Sequence, residues 1–261
     1  MGPNRGPMGL GHHQPIMDSG TSCRGESCSP RIAVDASRPQ RQLLLAYNAA
    51  GHQYLSTKTI QAVIEWLPPN LAWMRRFLGD TATPTVYRDM TDVWTLAHWR
   101  DTPDAQRHHF MRASGQTYDA ANKEAVDWIR QNGRQASFNL RRVWKESLGY
   151  YDPLFVTEPL GDAFHALQDS FSAGHVERQK LGTDYVITAI NVYDSANKET
   201  HSELDKEWQS PLGEEAIAAC RELTKIIIVS ALQKTNAEFE AKWTSLWATF
   251  QELFLQANFT A

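Results

Sequence analysis

The stretch HALQDSFSAGH places His165, Asp169 and His175 at spacings of four and six. Imidazole and carboxylate are the ligands zinc takes in hydrolytic sites. Residues four apart share one face of a helix, so His165 and Asp169 project together. Gly174 lets the chain turn after them, and His175 can fold back toward the same space. At 100° per residue the pair sits roughly 140–180° from the apolar stripe of Leu160, Ala163, Phe164, Leu167 and Phe171. The pair therefore points away from the core that this stripe builds. Two readings stand side by side: a metal site, or a solvated helix face, which is the ordinary meaning of a lone H-x3-D pair.

Further ligand types recur along the chain. His201 and Asp205 repeat the four-residue spacing. His52 follows Gly51 near the start of a helical pattern. The segment RDMTDVWTLAHWRDTPDAQRHHF holds Asp89, Asp92, His98, Asp101, Asp104, His108 and His109. A Ser/His/Asp triad competes on paper, because Ser170, Ser172 and Ser202 lie near histidines. Its strand–elbow–helix context and the G-x-S-x-G motif are absent. No P-loop or dinucleotide-binding glycine loop occurs. Cys23 and Cys28 form a possible metal half-site whose nearest further ligands are His12 and His13. The plainer reading is an incidental pair in a flexible tail.

The elements that must position these residues are helical. Residues 1–40 are rich in Gly, Pro, Ser and Arg without apolar periodicity, and they predict a disordered leader. Residues 41–261 predict one α-helical domain. A first helix runs from Gln42 and stops at Pro68-Pro69. A second fits NLAWMRRFLG, with Asn70 as cap and Gly79 as terminator. A third ends at Gly133, and a fourth covers SFNLRRVWKESLG. The central helix starts at the Thr157/Glu158/Pro159 signal and ends at Gly174. The C-terminal part predicts one or two long helices with a break near Asn236. Strand-like content is confined to TDYVITAINVY, an excursion with a short hairpin. The aromatic series Trp243, Trp247, Phe250 and Phe254 reads as core rather than as a membrane face.

Bulk properties exclude several classes. The net charge of −4 argues against a non-specific duplex-DNA binder. Three cysteines exclude a dense disulfide framework. The longest apolar run, IIIVSAL, is far short of the roughly 20 residues of a membrane span. No apolar region precedes a small-residue cleavage site near the N-terminus. That predicts a cytoplasmic protein or export by a non-classical, effector-type route.

Taken with its partners, FHALQDSFSAGH resembles the H-x3-D-x5-H element of the zinc-dependent phospholipase C and fungal single-strand nuclease superfamily. The likeness covers residues 45 to 210. Gly51-His52 is similar to that family's early G-H helix start, YRDMTD to its aspartate stretch, and HHFMR to its following histidine element. HWRDTPDA also resembles a bacterial phospholipase loop, which keeps His98 beside His108 and His109 as an alternative. His201 and Asp205 resemble the final H-x3-E/D pair.

The resemblance implies an all-α, multi-helix fold with long loops and two or three zinc ions. One ion falls to Asp89, His109, His165 and Asp169. A second falls to His175, His201 and Asp205. The third falls to His52 and a bridging Asp169. Asp89 and Asp169 carry the implied catalytic roles. The family completes the third site with an N-terminal Trp. Here 51 residues precede His52 and no Trp occurs before Trp66. The implied activity is a phospholipase C acting on phospholipid at a membrane or micelle surface. The alternatives are a nuclease acting on single-stranded nucleic acid, and a non-catalytic interaction protein on the same fold, as in the related helical module of heterokaryon-incompatibility proteins.

Overall fold

A computed structural model describes residues 39–87, 101–146, 152–182, 184–192 and 207–259. Among them the protein is mainly all-α, with one two-stranded hairpin. The expected leader, including Cys23 and Cys28, lies outside the described residues except for Pro39 and Gln40, which begin the first helix rather than ending a disordered segment.

Helix α1 spans Pro39–Trp66 and is stopped by Pro68, whose extended backbone cannot continue it. The expected second helix differs. Pro69–Met74 is a 3-10 helix without a side-chain cap, followed by the one-turn helix α2 at Arg75–Leu78. Asn70 is therefore not a cap. A further helical stretch occupies 82–87. Helix α3, Pro103–Gln106, is capped by Thr102 and runs into a 3-10 turn at Arg107–His109.

The third and fourth expected helices are one helix, α4, from Tyr118 to Glu146. Gly133 does not terminate it. A Cβ there would stand 3.1 Å from Trp243 Cη2 and 3.3 Å from Leu223 Cδ1. Gly133 is a close-approach residue, and a lone glycine does not stop a helix buried on that face.

Helix α5 runs Leu154–Asp169, with Pro159 in its interior. Its start thus precedes the expected signal, and its end comes before Gly174. Pro159 has no N–H for the carbonyl of Phe155. Asn139 of α4 supplies the missing donor, with its Nδ2 2.5 Å from that oxygen. The proline is tolerated because a neighbouring helix satisfies the carbonyl it leaves open.

The chain then forms an antiparallel hairpin, β1 (Val176–Leu181) and β2 (Asp184–Ile190), pairing Val176 with Ile190 and Leu181 with Asp184. Gly182 takes a positive φ of 65° at its tip. Helices α6 (Pro211–Ala231) and α7 (Asn236–Phe254) follow, broken at Thr235, whose side chain and Glu238 form a capping box.

Helix α5 occupies the middle of the fold. It packs against α4, α6, α1 and α2. Leu160, Ala163, Phe164 and Leu167 are fully buried, as the stripe predicts. Toward the C-terminal end of the helix the opposite side is buried too, at His165 and Asp169, where α1 and the Arg107–His109 turn pack, whereas Glu158 on that side is exposed. Trp243, Trp247 and Phe250 of α7 are also buried, so that face is core. Arg178 ties the ends together. Its guanidinium donates to the carbonyls of Ser170, Tyr185 and Phe254 and stacks on Phe171 at 3.9 Å. No helix of the described residues is long and apolar enough to cross a membrane.

Candidate metal centre

Asp169, the last residue of α5, sits at the convergence of four imidazoles. Its two oxygens divide them. Oδ1 lies 3.2 Å from His52 Nε2. Oδ2 lies 3.2 Å from His165 Nε2, 3.3 Å from His109 Nδ1 and 3.7 Å from His175 Nδ1. His109 Nδ1 and His165 Nε2 are 3.0 Å apart. Oδ2 itself receives no aligned hydrogen bond, although it is buried.

Those separations bear on what the group can hold. Tetrahedral zinc with bonds of about 2.0–2.2 Å keeps its ligand atoms roughly 3.3–3.5 Å apart. The triangle of His109 Nδ1, His165 Nε2 and Asp169 Oδ2, with edges of 3.0, 3.2 and 3.3 Å, is nearly one face of such a tetrahedron. His52, His165 and Asp169 also offer ligand atoms all within 4.8 Å of one another. This buried His/His/Asp cluster could hold a metal ion.

The ligand residues are delivered by four pieces of chain. His52 comes from α1, where Gly51 makes room for Trp208; a Cβ at 51 would stand 3.0 Å from the Trp208 ring. His109 ends the 3-10 turn and precedes Phe110, a non-glycine residue at φ 49°. Such left-handed backbone costs on the order of 1–3 kcal/mol and persists only where its surroundings enforce it. Here Phe110 is fully buried. His165 and Asp169 are one turn apart on α5. His175 follows the turn at Gly174, as its spacing predicts, and places Nδ1 2.5 Å from the backbone carbonyl of His109.

Electrostatics favours the ligand forms. Burial pushes the His165 imidazole down to about 3, outweighing the nearby Asp169 charge that raises it. The ring is therefore neutral and able to coordinate. Burial alone would raise Asp169, but the charges of His175, His165 and His52 hold its carboxyl well below the ordinary carboxylate range. An ionised carboxylate faces neutral imidazole.

Of the residues singled out from the sequence, the structure brings together His52, His109, His165, Asp169 and His175. Asp89, His201 and Asp205 lie outside the described residues, as do Asp92 and His98. His108 points elsewhere and stacks on Trp128 at 4.1 Å. Of the two readings of the His165–Asp169 pair, the solvated face does not hold. His165 and Asp169 are opposite the apolar stripe yet 0% and 4% exposed. They line a polar interior rather than a wet face, because α1 and the 107–109 turn pack over this end of the helix.

The spacing analysis missed the polar groups behind the cluster. Gln168 contacts His52 Nδ1 at 2.7 Å and Ser56 Oγ at 2.9 Å. A signal was present: Ser56 lies four residues after His52 on α1, and Gln168 adjoins Asp169. Comparison with protein-family models, curated proteins and solved structures finds no match.

Proposed function

We propose that the chain is a zinc-dependent phosphodiester hydrolase, and specifically a phospholipase C that cleaves glycerophospholipids to diacylglycerol and a phosphorylated headgroup. The observation that carries the reading is the partition of Asp169: His52 on one carboxylate oxygen, and His109 and His165 on the other. A carboxylate shared in this way suits a bridge between two ions. The motif resemblance supplies the phospholipid class.

When bound, zinc would lower the pKa of a coordinated water toward neutrality and offset charge developing on phosphoryl oxygens. The chain's own residues fix the geometry. Neutral His165 and ionised Asp169 are ready as ligands without a proton being removed first. His175 donates from Nδ1 to the His109 carbonyl, which leaves the lone pair on Nε2. Asp89 is assigned the orientation or deprotonation of the attacking water.

A nuclease acting on single-stranded nucleic acid is the second reading, favoured by an Asp rather than a Glu at 205 and by the long interval from His175 to His201. Phosphatidylcholine micelles and single-stranded DNA, offered side by side to zinc-loaded protein, separate the two. Lipid headgroup release that zinc chelation abolishes is the expected outcome. DNA cleavage alone selects the nuclease. Stoichiometric zinc with neither activity selects the non-catalytic interaction protein.

A further inference from the structure

The buried polar groups behind His52 form a hydrogen-bond chain with only one possible direction. The backbone carbonyl of Thr81 can only accept, and Thr85 Oγ1 donates to it at 2.8 Å. That uses the single proton of the Thr85 hydroxyl. Thr85 Oγ1 therefore meets Ser56 Oγ, 3.3 Å away, as acceptor. Ser56 has then spent its own proton, and it accepts from Gln168 Nε2 at 2.9 Å. The amide of Gln168 is thereby oriented, with Oε1 turned to His52 Nδ1 at 2.7 Å. A carboxamide oxygen carries no proton, so His52 Nδ1 must be the donor. Ser56, Thr81 and Thr85 are fully buried and Gln168 is 3% exposed, so bulk water offers these groups no substitute.

We propose that Gln168 is a positioning residue that holds His52 in its Nδ1–H form, with Thr81, Thr85 and Ser56 fixing the direction of the amide. The lone pair of Nε2 is thereby turned toward Asp169 Oδ1, 3.2 Å away. The device matters because Asp169 pulls the other way. A carboxylate beside Nε2 draws a proton onto that nitrogen, and a protonated Nε2 cannot coordinate. The chain of donors opposes this by keeping the proton on the far side of the ring. Outer partners of this kind set the tautomer and orientation of ligating histidines. The functional consequence rests on the metal-centre reading above, but the tautomer itself is a property of the metal-free protein.

That separation makes the test clean. Full-length protein is labelled with 15N-histidine, stripped of metal with a chelator, and examined by long-range 1H–15N spectroscopy in mildly alkaline buffer, where imidazole carries one proton. His52→Asn assigns the signal. The expected result is His52 as the Nδ1–H tautomer. In Ser56→Ala the amide loses the acceptor that orients it, and the population shifts toward Nε2–H. In Gln168→Leu the shift is larger, and zinc affinity at one site falls by about 10- to 100-fold. Gln168→Glu still accepts from Nδ1 and is expected to restore both tautomer and zinc affinity. A wild-type His52 in the Nε2–H form overturns the proposal even if zinc binds. An unchanged tautomer in both Ser56→Ala and Gln168→Leu overturns it too. A wild type with the Nδ1–H form that binds no zinc upholds the positioning role and sinks the metal centre instead.

Discussion

Asp169 Oδ2 and His165 Nε2, one helical turn apart on α5, stand 3.2 Å from each other in a fully enclosed space. Asp169 Oδ2 receives no aligned hydrogen bond there. Two groups so placed could hold a metal ion between them. Removing the charge of one should cost the cluster its ion. Asp169→Asn is expected to weaken zinc binding by more than the roughly 10–100-fold that changes in outer partners cause. Zinc per chain after dialysis, and competition with a chromophoric chelator, measure it. Full zinc content in the double variant Asp169→Ala, His165→Ala would remove the cluster from consideration.

Acid should destabilise the metal-free protein in two windows. The folded His165 titrates at about 3 against 6.5 for the free group. Between those values the unfolded chain binds more protons, so stability falls as pH falls. Asp169 is held well below 3.8, so its contribution is present above that value and is lost as pH drops through the folded pKa. Urea midpoints should therefore decline from pH 6.5 downward, then further below 3.8. His165→Asn should flatten the upper window. A wild-type midpoint that stays level across that window contradicts the burial argument.

Pro159 and Asn139 should behave as a coupled pair. Asn139→Ala strands the Phe155 carbonyl and is expected to cost roughly 1–3 kcal/mol. In a Pro159→Ala background the new N–H can bond that carbonyl within the helix, and the cost of losing Asn139 should shrink. A double-mutant cycle on unfolding free energies measures the coupling. Strict additivity would mean that the bond from Asn139 is not a replacement for the helical one.

Gly133 should resist enlargement. A Cβ added there would meet Trp243 at 3.1 Å and Leu223 at 3.3 Å. Gly133→Leu is expected to destabilise by about 1–3 kcal/mol through overpacking. Gly133→Ala sets a helix-propensity gain of up to ~1 kcal/mol against a mild clash. Denaturant midpoints of the two variants should differ clearly; equal values would place the α4–α7 contact elsewhere.

The parts of this fold that were readable from sequence are those set by local periodicity. The stripe from Leu160 to Phe171 gave the buried face of α5, and Thr235 with Glu238 lies at the break between α6 and α7. The misreadings share one cause. Gly133 and Pro159 are local punctuation overruled by a neighbour, Trp243 in one case and Asn139 in the other. The candidate site divides similarly. Spacing drew attention to His165, Asp169 and His175. It could not show that the side opposite the stripe is also enclosed, since that depends on α1 and the 107–109 turn packing over it. Nor could it reveal Gln168, whose role depends on Ser56 and Thr85, far away in the chain.

Asp169 and the four histidines converging on it come from α1, the turn at 107–109, α5 and the residue before the hairpin. An ion held there fastens together segments more than a hundred residues apart in the chain. Closing a long loop restricts the unfolded ensemble most, and a ligand that binds only the assembled cluster stabilises by mass action. Zinc held there would be a reversible cross-link in the architecture, and a chelator would act on this protein as a reducing agent acts on a disulfide.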